Sequence, residues 1–306
     1  MRGERAMAIL TYDEVKDKAS TLRAMTSLDR DELEALAVTF GETWAQQEEQ
    51  AGREASKGGR PPQLKGIEEK LFFILFYLKT YPLQEVLGHL FGLSQGQANQ
   101  WVHRLSAVLK AALERQGCRP ARLPEEMLAR LADEELQEFG IDGTERRIQR
   151  PKDDEQQRQH YSGKKKTHTL KNNLVAGLVD RTIKYLSDTH EGKKHDKKIC
   201  DEDGIRTPEG SSVYRDTGFQ GHEMAGVVIY QPKKKPRGGE LSAEDKAHNR
   251  LISRVRIVIE HVIAGVKRCR IVKDVFRNTK EGYADVAMEL ACGLHNFRTD
   301  CRLLEY

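Results

Sequence analysis

The sequence predicts a C-terminal α/β domain with a mixed sheet, preceded by an all-helical unit with a helix-turn-helix layout. Between residues 65 and 113, apolar residues recur at three- and four-residue steps, which is the helical period. Gly92-Leu93-Ser94 interrupts that pattern and is typical of a turn between two helices. From about residue 136 the pattern changes to short apolar runs typical of strands, with helices between and after them.

The same patterns divide the chain into segments. An N-terminal helical segment covers residues 1–50, and a basic linker rich in Gly and Pro covers residues 51–64. The helix-turn-helix unit covers residues 65–113, a connector covers residues 114–135, and the α/β domain covers residues 136–306.

Composition favours a soluble protein with a polyanionic partner. The 306 residues carry a net charge of +4, but residues 11–50 have a net charge of -6 and residues 51–306 one of +9. No apolar run approaches the roughly 20 residues of a membrane span, and no secretory signal is visible, so we expect no membrane contact and a cytoplasmic location. The five cysteines include no C-x-x-C pair, which argues against a zinc site or a disulfide framework.

The third helix of the helix-turn-helix unit, Gln95 to Leu113, has two different faces. Ala98, Trp101, Val102, Leu105 and Leu109 are expected to pack inward. The predicted outer face consists of Gln95, Gln97, Asn99, Gln100, His103 and Arg104. It lacks acids and is rich in amides, which pair with adenine in a DNA major groove. A plain three-helix bundle with a polar face is the alternative.

The linker provides a second candidate contact with DNA. Lys57–Pro62 is a basic, extended segment, and Arg60 within it is suited to a narrow minor groove. An ordinary solvated linker explains the same composition.

Two acids are predicted where strands of the α/β domain end. Phe139–Thr144 is read as a short strand that reaches Asp142, and Ser211–Asp216 as one that ends in Asp216. Each acid is followed by glycine, at Gly143 and at Thr217-Gly218, which indicates a tight turn. Open α/β folds place their sites at the carboxyl ends of such strands.

A third acid is predicted on a long helix, Leu251–Ile271. Its apolar residues form one broad stripe, and Arg256, Glu260 and Lys267 fall together at the edge of that stripe. The simple interpretation is an i,i+4 ion pair between Arg256 and Glu260. The other interpretation is that Glu260 joins Asp142 and Asp216 in a site.

Carboxylates gathered at one point repel each other unless a cation joins them. Mg²⁺ or Mn²⁺ suits an all-oxygen site, and two such ions can promote phosphodiester chemistry. We therefore expect Asp142, Asp216 and Glu260 to be catalytic and to bind metal, with two ions. Asp180, Asp188 and Asp196 are rival candidates, the last because it follows His195.

Several motifs together resemble the DDE transposases of the bacterial insertion sequence five group. They are Ile141–Glu145 with Gln149–Pro151, Tyr161–Lys171, Asp216–Gly221, and the R-x3-E-x6-K pattern of Arg256, Glu260 and Lys267. The family's G-S-x-H-D segment has Lys193 in place of Ser, and the Tyr that precedes the Arg in the wider family is Ser253 here. The resemblance covers roughly residues 65–300 and implies an RNase H-like catalytic domain.

The resemblance also implies an activity and partners. The expected function is metal-dependent cleavage at the ends of a DNA element, followed by joining of the 3′-OH to target DNA. Arg256 and Lys267 would contact the DNA backbone, and the helix-turn-helix unit would bind the terminal inverted repeats. Because two element ends must be joined, a homodimer or larger assembly is expected. When bound to DNA, the protein would be associated with the bacterial nucleoid. The alternatives are an RNase H-like nuclease without strand transfer and a catalytically inactive DNA-binding regulator.

Overall fold

A computed structural model of the chain describes residues 9–52, 63–132 and 137–303. These residues form two compact units, one reaching to Cys118 and including Arg268–Ile271, the other built from Arg119–Lys267 and the residues from Val272 onward. Arg60, most of the predicted linker and the predicted boundary at residue 136 lie outside the described residues. The five cysteines are free thiols, and only Cys301 is not fully buried.

Three helices begin the first unit: α1 (Tyr12–Val15), α2 (Ala19–Thr26) and α3 (Arg30–Gln50). The side chain of Asp29 accepts from the backbone N–H of Glu32, and Glu32 accepts from that of Asp29, which closes a capping box at the start of α3. Ser27 followed by Asp31–Glu34 resembles a capped helix start and predicts the cap at Ser27, but the cap is Asp29. Ser27 ends α2 with a left-handed φ of 71° and therefore cannot begin the next helix.

The helix-turn-helix prediction is confirmed by α4 (Ile67–Thr80), α5 (Gln84–Leu90) and α6 (Gln95–Arg115). Residues Leu71–Leu78 of α4 are buried on every side, and α6 buries four of the five residues predicted to face inward. Trp101, the fifth, is only partly buried and stacks on Trp44 with 5.9 Å between the ring centroids. Helix α3 packs against both α4 and α6. The N-terminal helices thus share one core with the helix-turn-helix.

The turn between α5 and α6 depends on a close approach of backbone to Gly88. A Cβ atom at this position would lie 2.6 Å from the carbonyl oxygen of Leu93. A Cβ atom at Gly96, which is also helical, would meet nothing within 4 Å. Only the first glycine is therefore required by packing.

The second unit begins with α7 (Pro124–Leu131) and contains a seven-stranded mixed sheet. The strands are β1 (Glu138–Arg147), β2 (Tyr161–Ser162), β3 (Thr167–Gly177), β4 (Ile183–Leu186), β5 (His190–Glu191), β6 (Ser212–Arg215) and β7 (Val228–Tyr230). The remaining helices are α8 (Asp154–His160), α9 (Asp196–Glu202), α10 (Ala243–Val266) and α11 (Tyr283–Leu303). The sequence predicts strands at His168–Leu178 and Thr182–Asp188 with a turn at Val179–Arg181, and the antiparallel pairing of β3 with β4 confirms this hairpin.

The strand order is β2-β3-β1-β6-β7, with β4 and β5 also paired to β3. β1 is antiparallel to β3 and parallel to β6. Phe139, Ile141 and Val213 point into a hydrophobic core on one face of the sheet. Because side chains alternate between faces, Gly140 and Asp142 point to the opposite face, where α10 packs on β1 and β6.

Helix α10 is amphipathic, as predicted, but it begins at Ala243 and ends at Val266, before the end of the predicted Leu251–Ile271 segment. It buries Ile252, Ile259, Val262 and Val266, and its last residue is Val266. Lys267 is the C-cap, so the helical wheel does not apply beyond it. No helix in the described ranges is both long and apolar enough to cross a membrane.

Gly88→Ala should destabilise the chain, and Gly96→Ala should not. The added methyl at position 88 collides with a backbone oxygen, so a loss of about 1–3 kcal/mol is expected. At position 96 Ala has the better helix propensity, which should add up to about 1 kcal/mol. Urea unfolding followed by circular dichroism measures both. Equal stabilities of the two variants would contradict the close packing of the turn.

Candidate active site

Asp142 and Asp216 lie side by side where β1 and β6 stop pairing. The last paired residues of these parallel strands are Ile141 and Arg215. Asp142 and Asp216 are therefore the next residues on two neighbouring strands and belong to the same face of the sheet. The backbone N–H of Gly218 donates to Asp216 Oδ1 at 2.6 Å, and the N–H of Gly143 donates to Asp142 Oδ1 at 2.8 Å.

The prediction that each acid follows the end of its strand is half confirmed. Asp216 does follow β6 and opens a 3-10 turn, Thr217–Phe219. Asp142 lies inside β1, which continues to Arg147 because it remains paired with β3. Gly143 accordingly makes no turn; it sits in the strand opposite Asn173.

Burial dominates the electrostatics of Asp142. Desolvation raises the pKa of Asp142 from 3.8 to about 6, and the charges of Asp216 and Asp196 act in the same direction. Arg256 opposes the shift from α10, with its nearest guanidinium nitrogen 3.8 Å from Asp142 Oδ2. Arg256 Nε is buried and has no hydrogen-bond partner among the described residues. One guanidinium at this distance leaves the carboxylate charge only partly compensated.

Glu260 is placed on the correct helix but not in contact with the two aspartates. The preceding residue, Ile259, touches the sheet, since its Cδ1 lies 3.1 Å from where Gly140 would carry a Cβ. Glu260 itself is exposed. Within the described ranges it has no hydrogen bond or ion pair, so the predicted alternative of an Arg256–Glu260 pair does not form.

Lys267 follows the last residue of α10 and lies near both basic and acidic side chains. Burial lowers the pKa of Lys267, and nearby Lys165 acts in the same direction. Asp142 and Glu145 oppose the shift. An anion such as a phosphate would reduce the repulsion between this half-buried lysine and Lys165.

Asp196, one of the rival acids, is the third carboxylate that the structure brings to this place. It is the first residue of α9. Its Oδ1 lies 2.8 Å from the position that a Cβ of Gly143 would take, and its Oδ2 lies 3.2 Å from the corresponding position at Gly218. Lys171 Nζ is 3.2 Å from Asp196 Oδ1.

The other two rivals have structural partners elsewhere. Asp180 accepts from Thr182 and pairs with Lys184 at 2.7 Å within the β3–β4 turn. Asp188 pairs with Arg122 at 2.7 Å and is largely exposed.

The donors fit a hard divalent cation, because they are carboxylate oxygens and Arg256 compensates their negative charge only in part. Asp142 and Asp216 would hold it, with Asp196 as a further acid beside them. In the described part of the chain, however, no three His, Cys, Asp or Glu side chains are grouped closely enough to hold a metal as they stand. The structure supports the donor type and leaves Glu260 outside the group.

The predicted outer face of α6 is only partly free. Gln95 and Gln100 are exposed. Gln97 closes the capping box of α6, with its Oε1 accepting from the N–H of Ser94 at 2.9 Å, and Asn99 accepts from Gln84 at 2.9 Å. His103 is half-buried.

Arg104 does not face outward as predicted. Its guanidinium lies over the rings of Trp44 and Trp101, with 4.2 Å to the centroid of Trp44, and it pairs with Glu48. The reason is that α3 packs along this side of α6, which a helical wheel of α6 alone does not include.

These features define the class of the protein. A parallel strand pair ending in two carboxylates, an amphipathic helix with a third acid packed across it, and a preceding helix-turn-helix are the parts of an RNase H-like DDE enzyme. Residues 141–296 match the family of DDE superfamily endonucleases, and residues 62–115 match the helix-turn-helix of DDE superfamily endonucleases.

A relative carries the assignment further. A probable transposase for insertion sequence element IS702 from Microchaete diplosiphon is 30% identical over 246 residues, which cover 80% of this chain and 85% of that protein. The chain therefore belongs to the DDE transposase family of insertion sequences. No solved structure matches the chain at a significant level.

Asp142→Asn should change how stability depends on pH in buffer containing EDTA. The folded pKa of Asp142 is raised from 3.8 to about 6, so its stability contribution is complete below pH 4 and is lost as the pH rises through 6. Such a shift corresponds to about 3 kcal/mol.

The variant should therefore melt a few degrees higher than the parent chain at pH 7.5 and show no such gain at pH 4. Thermal unfolding across this pH range is the measurement. A constant difference in melting temperature at every pH would contradict the burial of this carboxyl.

Proposed function

We propose that the chain binds the terminal inverted repeats of a DNA element, cleaves the element's ends and joins the freed 3′-OH to target DNA. The observation that carries this proposal is the pair Asp142 and Asp216, held adjacent at the end of the β1–β6 pairing. Two carboxylates at such a point serve phosphoryl transfer through a divalent cation. Both proposed reactions are phosphoryl transfers, so one site can serve them in turn.

Asp142, Asp216 and Glu260 are the proposed metal ligands. Mg²⁺ or Mn²⁺, as two ions, would supply charge neutralisation and an activated attacking oxygen. Glu260 lies on the helix that packs across β1, one residue beyond the contact of Ile259 with Gly140.

The basic residues have separate proposed roles. Arg256 compensates Asp142 in the structure, and its unpartnered Nε can donate to a phosphate. Lys267 and Lys165 would be neutralised by the DNA backbone. On α6, the exposed Gln95 and Gln100 are the residues best placed to read bases, and Gln97, Asn99, His103 and Arg104 would act as supports of that helix.

The assembly and location follow from the proposed reaction. Joining two ends of one element to one target calls for a homodimer or larger assembly, acting on DNA in the bacterial cytoplasm and nucleoid. Two alternatives remain distinct: a nuclease that cuts without joining, and a regulator that binds DNA without cutting. The first lacks strand transfer from precut ends, and the second lacks Mg²⁺-dependent cleavage.

Alanine at Asp142, Asp216 or Glu260 should abolish cleavage of repeat DNA while repeat binding persists. Each change removes a proposed cation ligand, and a loss of about 10³-fold or more is expected for groups that act as a unit. Cleavage is measured on labelled repeat DNA with Mg²⁺, and binding by fluorescence anisotropy with Ca²⁺. Precut ends are then supplied to test strand transfer.

Asp188→Ala is the matched control, because Asp188 is an exposed acid of the same unit with a structural partner. It should cleave as the parent chain does. Cleavage by all three single variants would disprove the proposed site, and cleavage without joining of precut ends would favour the nuclease.

A further inference from the structure

Asp196 reaches the acidic site through gaps left by two glycines. One carboxylate oxygen sits 2.8 Å from the Cβ position of Gly143, and the other sits 3.2 Å from that of Gly218. Asp216 Oδ1 lies 2.8 Å from the same point at Gly218. The carboxylates of Asp196 and Asp216 therefore approach one another beside Gly218, where any larger residue would keep them apart.

Asn173 gives an independent indication that a polar ligand belongs here. Its side chain is 0% exposed, and its Oδ1 has no hydrogen-bond partner in the described structure. That oxygen points to Gly143, at 3.2 Å from its Cβ position. Asp196 Oδ1 is also buried and points to the same place, and Lys171 Nζ at 3.2 Å forms an ion pair but no hydrogen bond with it.

The amide of Asn173 is fixed, so its oxygen cannot turn away. Nδ2 donates to the backbone carbonyl of Asp196 at 2.7 Å. Lys171 is the cation nearest to Asp196, but its Nζ donates to the carbonyl of Lys194 at 2.7 Å and lies 3.8 Å from Glu145. One ammonium shared among these groups leaves oxygen acceptors in excess, and a buried acceptor without a partner is costly.

We infer that Asp196 is a further carboxylate ligand of the divalent cation that Asp142 and Asp216 bind, with Lys171 and Asn173 fixing its position. This inference rests on the proposed function for the identity of the cation. It assigns the Gly-x-x-His-Asp segment to the metal site and gives a reason for the glycines after both aspartates.

The test is Mn²⁺ binding to the full chain without DNA, measured by calorimetry and by electron paramagnetic resonance. Asp196→Asn should lower Mn²⁺ affinity by about 10- to 100-fold or remove one bound ion. Glu202→Gln is the matched control, because it removes the same charge from α9 at an exposed position with lysine partners. It should bind Mn²⁺ as the parent chain does.

The outcomes separate this inference from the proposed function. Loss of Mn²⁺ binding in Asp142→Asn but unchanged binding in Asp196→Asn would overturn the role of Asp196 alone. Unchanged binding in both would overturn the metal site itself. If Asp196→Asn does not fold, Asp196→Ser retains a polar residue at the start of α9 and takes its place.

A second, independent observation is a basic groove on the second unit, beside the β2–β3 hairpin. The groove has a volume of about 870 Å³. Its charged lining residues are Arg150, Arg158 and Lys193, with Asp154 as the acid. None of the three cations forms an ion pair with a described residue, and Arg150 is oriented by Gln157, which accepts from its Nε at 2.9 Å.

The groove also presents an aromatic ring. Tyr161 is 43% exposed, and its ring meets that of His168 edge to face at 5.7 Å. His168 pairs with Tyr161 on one side of β3, and Asn173 follows five residues further along β3, opposite Gly143. At about 3.3 Å per residue this is roughly 17 Å, the length of about five base pairs.

We propose that this groove binds the phosphate backbone of DNA a few nucleotides from the cleaved bond, with Tyr161 stacking on an unpaired base. Unpaired cations beside an exposed aromatic ring are the features that bind nucleic acid strands. His168, which lines the groove, and Asn173, beside the acidic site, lie on the same strand, β3. One DNA end can therefore reach both the groove and the acidic site.

Salt dependence tests the phosphate contacts. Arg158→Ala combined with Lys193→Ala should reduce the slope of log affinity against log salt by about 2 for repeat DNA, measured with Ca²⁺. Lys246→Ala combined with Arg206→Ala, two exposed cations with acidic partners, is the control and should leave the slope unchanged. An unchanged slope in the groove variant would overturn the proposal, whereas no repeat binding by the parent chain would overturn the proposed function.

Tyr161 is tested separately on DNA ends with and without unpaired flanking bases. Tyr161→Ala should weaken binding to the unpaired ends by about 5- to 100-fold, and Tyr161→Phe should retain it, because stacking requires only the ring. Equal losses on paired and unpaired ends would overturn the stacking role.

Discussion

The burial of a carboxylate beside other carboxylates, at the end of the β1–β6 pairing, is the constraint on which the candidate site depends. Asp142 and Asp216 are forced together because the parallel register ends at Ile141 and Arg215. Buried like charges are unfavourable, and the pKa of Asp142 rises to about 6 as a result of burial and of its acidic neighbours. Arg256 at 3.8 Å relieves only part of this. A fold that retains such a pair sacrifices stability at a site where a cation can bind.

Glycine is what allows the other elements to approach this pair. Gly140 lets Ile259 pack directly on β1, which fixes the height of α10 above the sheet. Gly143 and Gly218 do the same on the side of α9, where the carboxylate of Asp196 occupies the space of two missing Cβ atoms. The glycines therefore serve packing, and only Thr217–Phe219 forms the turn that the sequence suggested.

Much of the fold could be predicted because periodicity and capping are local properties. The helices of the helix-turn-helix unit, the hairpin of β3 and β4, and the amphipathic α10 all follow from residue spacing. The position of Asp142 within its strand could not be predicted in the same way. It depends on which neighbour stops pairing first, β6 or β3, and that is a property of the assembled sheet.

In the candidate site, too, residue spacing predicts only part of the arrangement, because several contacts come from elements that are distant in the sequence. Arg104 has the helical angle of an outward residue, but α3 supplies Glu48 and Trp44 on that side. Asp196 is one of three rival acids in the sequence, and only the assembled domain shows that the start of α9 lies beside Gly143 and Gly218. Asn173 gives no signal at all in the sequence, because its significance is an unsatisfied oxygen.

The exposure of Glu260 follows from the same electrostatic constraint. Asp196 is already a third carboxylate beside Asp142 and Asp216, and a fourth in contact with them would add repulsion that Arg256 is too distant to offset. Helix α10 instead anchors its sheet contact through Ile259 and leaves the next residue in solvent. The buried residues Ile252, Ile259, Val262 and Val266 fix the helix independently of the acid, so the position of its backbone does not depend on Glu260.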